Sequence, residues 1–127
     1  MSAVDPGLVV SEFVAAWNRL DFDAVIGALA ENVHYHNVPM EPVLGRVAVT
    51  EYLRGAWRFD ECQWTTHHQA VAGNTVLTER EDAFRFGSHW VRLPVMGVFE
   101  IDADGLIRHW RDYFDLASYQ AQLAQGA

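Results

Sequence analysis

Between residues 6 and 18 apolar side chains recur every three or four positions, and Leu8, Val9, Phe13, Val14, Ala16 and Trp17 share one side of a helical period. Asp5 and Pro6 are helix-start signals, so the spacing predicts an amphipathic helix over 6–18. Asp21 is placed to cap a second helix over 22–30, with Phe22, Val25, Ile26 and Leu29 on one face and Glu31-Asn32 ending the run. A short extended piece, 33–38, stops at Pro39, and Gly45 opens a third helical pattern in which Val49, Tyr52, Leu53 and Ala56 align. The period then changes to two. Strands over 64–71 and 75–86 flank Gly73-Asn74, two residues that tolerate the positive φ of a tight hairpin. Two more strands, 90–101 and 106–114, flank the turn signal Asp102-Ala103-Asp104-Gly105, and a helical tail over 116–124 follows. Helix, helix, strand, helix and then four strands predict an α+β domain, its helices packed on one face of a curved, mostly antiparallel sheet.

The 127 residues suffice for one domain and not for two, and neither a repeat nor a low-complexity linker divides them, so 1–127 reads as a single unit. Half the residues are hydrophobic and 13% aromatic, enough for a core. Seventeen acidic against nine basic residues, all arginine, give a net charge of −8, which argues against nucleic acid and anionic membrane surfaces as partners. Cys62 is the only cysteine, so no internal disulfide or thiolate metal cage is available. The start Met1-Ser2-Ala3-Val4-Asp5 lacks a basic n-region and an apolar h-region, and no apolar run approaches the roughly 20 residues of a membrane-spanning helix. The expected setting is the cytoplasm.

Strand parity singles out the polar groups that matter. Over 76–86 one face carries Leu77, Glu79, Glu81, Ala83 and Arg85 and meets solvent, while the other carries Val76, Thr78, Arg80, Asp82, Phe84 and Phe86. Arg80 and Asp82 therefore share the apolar side, where a carboxylate needs a partner and a guanidinium two residues away can supply it. A purely structural ion pair would explain that much. The last strand repeats the anomaly, with Asp112 between Trp110 and Phe114 on the face of Leu106 and Arg108, against Ile107, His109, Arg111, Tyr113 and Asp115 on the other. The first strand adds Tyr35 and Asn37 beside Val33, a hydroxyl and an amide that with Asp112 could hold a water in one orientation. Five polar groups converging on an apolar cavity point to chemistry.

Three segments carry a family resemblance: Tyr35-His36-Asn37-Val38-Pro39-Met40-Glu41-Pro42, Glu79-Arg80-Glu81-Asp82, and Trp110-Arg111-Asp112-Tyr113-Phe114-Asp115. In order and approximate spacing they resemble the signature stretches of limonene-1,2-epoxide hydrolase, over a match from about residue 14 to residue 116. The resemblance implies the cone-shaped fold of the nuclear-transport-factor-2-like superfamily, with three or four helices on the concave face of a mixed, mostly antiparallel sheet. It also implies a homodimer and a hydrolase that needs neither cofactor nor metal. Residue by residue, the family's Arg-x-Asp falls on Arg80 and Asp82, its second aspartate on Asp112, and its water-holding tyrosine and asparagine on Tyr35 and Asn37. The chain departs in a short amino-terminal arm and a shorter connection across 87–92, so access to the pocket and substrate size are expected to differ.

Opening an epoxide with water needs a base for the nucleophile and an acid for the leaving alkoxide. Asp112 is assigned as base, drawing a proton from the water that Tyr35 and Asn37 hold. Asp82 is the acid, kept protonated by burial near Phe84 and Phe86 and by the charge of Asp112, with Arg80 bridging the two. Leu53, Trp57, Phe84, Leu93, Val95 and Phe114 are the expected substrate-binding walls, although each taken singly reads first as ordinary core. Among competing readings, His34-x-His36 with Glu41 resembles half of a cupin metal motif, but the second half is missing and no metal is expected. His67-His68 points to opposite strand faces and cannot clamp an ion. A ketosteroid-isomerase or polyketide-cyclase type of enzyme would have no use for a water-holding Tyr35 and Asn37, and a passive small-ligand-binding module would leave all five polar groups coincidental.

Overall fold

The computed structural model describes residues 4–126. Residues 1–3, on which the reading of the amino-terminal start partly rests, lie outside the described residues. Helix α1 (Pro6–Asn18) begins where Asp5 accepts the Leu8 N–H at 3.1 Å, and α2 (Phe22–Gly27) begins where Asp21 accepts that of Ala24 at 3.1 Å. Strand β1 (Leu29–Asn37), the two-residue β2 (Val43–Leu44) and α3 (Arg46–Ala56) follow. Then come β3 (Glu61–Ala72), β4 (Thr75–Phe86), β5 (His89–Ile101) and β6 (Ile107–Tyr113), and last α4 (Leu116–Gln125), capped by Asp115.

Three expected boundaries move, two of them for a tertiary reason. The helical pattern 22–30 ends at Gly27, because Leu29 leaves the helix to pair with Ile107 of β6 and is fully buried there. The first strand accordingly starts at 29 and not at 33. β2 is too short for any periodicity to announce it, and β3 starts at Glu61 instead of 64. The β3–β4 turn is the expected two-residue hairpin: Ala72 pairs with Thr75, and Gly73 sits at φ 61°, where a side chain would be strained.

The strands form one sheet in the order β2-β1-β6-β5-β4-β3. Every pairing is antiparallel except that of β1 with β6, which joins the opening of the chain to its end. The core lies between one face of this sheet and α1 to α3, with Phe13 of α1 edge-on to Phe99 and Trp110 at centroid distances of 5.9 and 5.0 Å. Parity places the charges of β4 as expected, except that Ala83 on the outer face is fully buried, a small side chain flanked by the longer Gln63 and Arg92 across the strands. Ile107, expected outside, is also fully buried, since an irregularity between Glu100 and Ile101 leaves Arg108 unpaired and shifts the phase of β6.

β6 pairs only with the second half of β5, from Met96 onward, so the first half has a free edge. Helix α4 covers that edge. The Gln122 side-chain amide accepts the Arg92 N–H at 2.8 Å and donates to the Arg92 carbonyl at 2.8 Å, standing in for a neighbouring strand. Among the described residues no helix is long and apolar enough to cross a membrane.

Candidate active site

Strand β4 projects Thr78, Arg80 and Asp82 inward from alternate positions, and all three are buried. Arg80 forks onto Asp82, with Nε donating to Oδ1 and Nη2 to Oδ2, both at 2.9 Å. The same Nη2 donates to Asp112 Oδ1 at 3.1 Å, so one guanidinium joins the two carboxylates. Nη1 donates to Thr78 Oγ1 at 2.9 Å. The guanidinium lies over Trp64 at 4.7 Å from the ring centroid and 5.8 Å from that of Phe99, so aromatic rings as well as anions hold it.

The space that Arg80 fills exists because β5 presents no side chain there. Gly97 pairs with Thr78 on one side and Asp112 on the other. A Cβ on Gly97 would overlap Arg80 Nη1 and come within 2.8 Å of both Asp112 Oδ1 and Thr78 Oγ1. Neither Gly97 nor Thr78 stood out in the sequence, because a glycine in a strand has several meanings and a threonine in a strand is ordinary.

The parallel pairing of β1 with β6 brings the remaining groups in. Asn37 is in register with Asp112, and Tyr35 with Trp110, on which its ring stacks at 4.0 Å. Asn37 Nδ2 donates to the Tyr35 hydroxyl at 2.9 Å, fixing both. Tyr35, Asn37, Asp82 and Asp112 then line one cavity of about 140 Å3. Arg80 is not among its lining residues; it sits behind the two carboxylates it joins.

Of the expected apolar walls, Leu53, Phe84, Leu93, Val95 and Phe114 line the cavity. Trp57 does not: α3 ends at Ala56, and the Trp57 ring stacks on Trp17 at 4.7 Å, behind the wall. Trp17 in turn stacks on Trp64 at 4.5 Å, and both of these line the cavity together with Trp110. Met40, Tyr52, Ala56, Phe59 and Tyr119 complete the lining. None of these eight was singled out, since aromatic residues at helical or strand spacing read first as core.

The electrostatics couple the two aspartates. Burial raises the Asp82 carboxyl, Arg80 pulls it back, and the charge of Asp112 pushes it up again, to about 6. Asp112 is also raised by burial and drawn down by Arg80, and the indole N–H of Trp110 favours its ionised form although it completes no hydrogen bond of good geometry. The two carboxylates titrate as one coupled unit, each raised by burial and drawn down by Arg80. Burial opposes the charge of Arg80, but Asp112 and Asp82 more than restore it, so it stays a cation. The Tyr35 hydroxyl is raised well above its ordinary value by burial and by Asp112, so it remains a neutral donor.

The histidines lie elsewhere. His36 Nε2 meets the Met40 carbonyl at 2.8 Å, and exposed His68 meets Glu79 at 2.7 Å. Among the described residues no three His, Cys, Asp or Glu side chains are grouped to hold a metal ion. Cys62 is buried, and its thiol is pushed up by burial and by Asp82.

With this geometry in place, residues 4–125 match the model of the limonene-1,2-epoxide hydrolase catalytic domain. The chain belongs to the limonene-1,2-epoxide hydrolase family. It is 37% identical over 117 residues to epoxide hydrolase EphG of Mycobacterium tuberculosis, a match covering 92% of this chain and 78% of that one. The solved structure of an M. tuberculosis limonene-epoxide-hydrolase-like epoxide hydrolase superposes with a TM-score of 0.82 at 36% identity, over 95% of this chain and 90% of the other. A SnoaL-like polyketide cyclase structure from Shewanella putrefaciens superposes with a TM-score of 0.80 over 94% of this chain and 96% of the other. At 16% identity the cyclase shows the shared fold of this limonene-1,2-epoxide hydrolase family member and nothing of its chemistry.

Proposed function

We propose that this chain adds water to a small, mostly apolar epoxide, limonene-1,2-epoxide or another cyclic epoxide, and releases a vicinal diol in one step. The observation that carries the reading is the pair of buried carboxylates joined through Arg80 Nη2 at 2.9 and 3.1 Å, with Asn37 in register beside one of them. A water held by Tyr35 and Asn37 gives its proton to Asp112 as its oxygen attacks an epoxide carbon. The carbon–oxygen bond breaks, and Asp82 delivers its proton to the departing oxygen. Arg80 stays charged throughout, balances whichever aspartate is ionised, and keeps the two at fixed separation. The proton then passes from Asp112 to Asp82 through solvent, which restores the starting state. No carboxylate attacks carbon, so no ester forms, and neither metal nor cofactor takes part.

Cavity size supports a monocyclic substrate: roughly 150 Å3 of apolar cavity accommodates a benzene ring, close to the 140 Å3 here. The homodimer implied by the resemblance belongs to this reading. The test is turnover of limonene-1,2-epoxide, cyclohexene oxide and styrene oxide in ¹⁸O-labelled water under single-turnover conditions, with chelator present. Diol carrying the label from the first turnover is expected, at a rate the chelator leaves unchanged. Label appearing only in later turnovers would establish an ester intermediate, and no diol from any epoxide would remove the activity.

A further inference from the structure

The cavity wall has more hydrogen-bond donors than the hydrolytic machinery uses. Tyr52 on α3 and Tyr119 on α4 both line it, and among the described residues neither hydroxyl makes a hydrogen bond to another protein group. Trp17, Trp64 and Trp110 line the same cavity and are at least nine-tenths buried, and Trp17 and Trp64 each keep a buried indole N–H without a partner, while that of Trp110 faces Asp112. A buried donor left unpaired is destabilising. A fold that keeps several such donors around one cavity is suited to a guest that brings acceptors. The acceptors within the wall, Asp82, Asp112 and Asn37, are engaged with Arg80, with Tyr35 or with the reacting water.

The two phenols form a group of their own. Tyr52 packs against Tyr35 at 5.9 Å between ring centroids, so the hydroxyl-bearing side of the cavity continues from the water-holding pair onto α3. Tyr119 lies against Phe114 at 6.3 Å on the side closed by α4, and Tyr52 is near enough to push its hydroxyl further up after burial has raised it. The Tyr119 phenol therefore stays protonated and can donate. Met40, an exposed lining residue, marks where the cavity opens.

We propose that Tyr52 and Tyr119 form a polar subsite that selects epoxides carrying a second oxygen, a hydroxyl or a carbonyl, on the part of the molecule remote from the epoxide ring. The proposal rests on the hydrolase reading and narrows its substrate class: a purely hydrocarbon epoxide fills the apolar walls and leaves both phenols unpaired, whereas an oxygenated one satisfies them. Sites built to bond a substrate hydroxyl discriminate against the isostere lacking it, because their own polar groups are then stranded.

The test compares two near-isosteric substrates, 4-ethyl-1,2-epoxycyclohexane and 4-(hydroxymethyl)-1,2-epoxycyclohexane, in the full chain and in Tyr52→Phe and Tyr119→Phe. For the unsubstituted protein kcat/KM is expected to favour the alcohol by roughly fivefold or more, and the ratio to fall toward one in each variant. A preference for the ethyl compound, or a ratio that neither variant changes, overturns the subsite. If neither epoxide gives diol, the hydrolase reading fails, and the subsite is decided by binding alone. Cyclohexanemethanol must then raise the Tm of the protein more than ethylcyclohexane does, by a margin that Tyr119→Phe removes, and equal shifts overturn it.

Discussion

In the proposed mechanism Asp82 and Asp112, chemically the same side chain, take opposite tasks, and the difference lies in what surrounds each. Asp82→Asn removes the proton donor and Asp112→Asn the acceptor, so each is expected to lower kcat by several orders of magnitude while circular dichroism stays native. The raised Asp82 carboxyl also makes a signed prediction about pH. Its ordinary value is 3.8 and its folded value about 6, so on raising the pH the unfolded chain loses this proton first. Folding stability from this group is therefore fully present below about pH 4, declines up to about pH 6 and is flat above. Thermal melts should show that decline in the unsubstituted protein and a smaller one in Asp82→Asn, and kcat/KM should fall as pH rises through the same upper limit. Gly97→Ala puts a methyl where the Arg80 guanidinium lies, and overpacking of this kind costs about 1–3 kcal/mol. Activity should drop far more than stability in that variant, since displaced Arg80 no longer spans both carboxylates; a variant with full kcat would show that the spacing is unimportant. Arg80, Asp82 and Asp112 were legible because a charge on an apolar strand face breaks the alternation. Gly97 was not, because its contribution is empty space.

Among the elements, β4 apart from Ala83, and β5, behaved as period-two patterns predict, and α1 kept its expected bounds at both ends, because each is decided mainly by its own side chains and caps. The misplacements occur where a distant partner decides: Leu29 leaves a helical pattern to pair with β6, and Ile107 turns inward at an irregularity in the β5–β6 pairing. Trp57 was misassigned for a related reason, since its helical spacing lapses one residue after α3 ends. The parallel contact that sets Asn37 beside Asp112 joins residues 75 positions apart, and no local pattern encodes it. At this scale α4 offers the clearest test. Gln122 alone supplies both hydrogen bonds to the Arg92 backbone, so Gln122→Ala should lower stability by about 1 kcal/mol. Hydrogen exchange at the Arg92 amide should accelerate well beyond that change, and amide protection equal to the parent would mean that the helix docks by other contacts.

For the molecule as a whole, the sheet and helices make a wall of stacked aromatic rings with the charged relay set into it. Trp17 is sandwiched between Trp57 and Trp64 at 4.7 and 4.5 Å, and Trp110 closes on Trp17 edge-to-face at 6.1 Å. Four of the five tryptophans are thus gathered in one cluster, three of them lining the cavity, and the fifth, Trp90, lies apart beneath Arg92. The protein therefore carries a built-in optical gauge of its own cavity: a guest displacing water beside Trp17, Trp64 and Trp110 changes the polarity seen by the emitting state, and occupancy can be followed by ultraviolet fluorescence with no label attached.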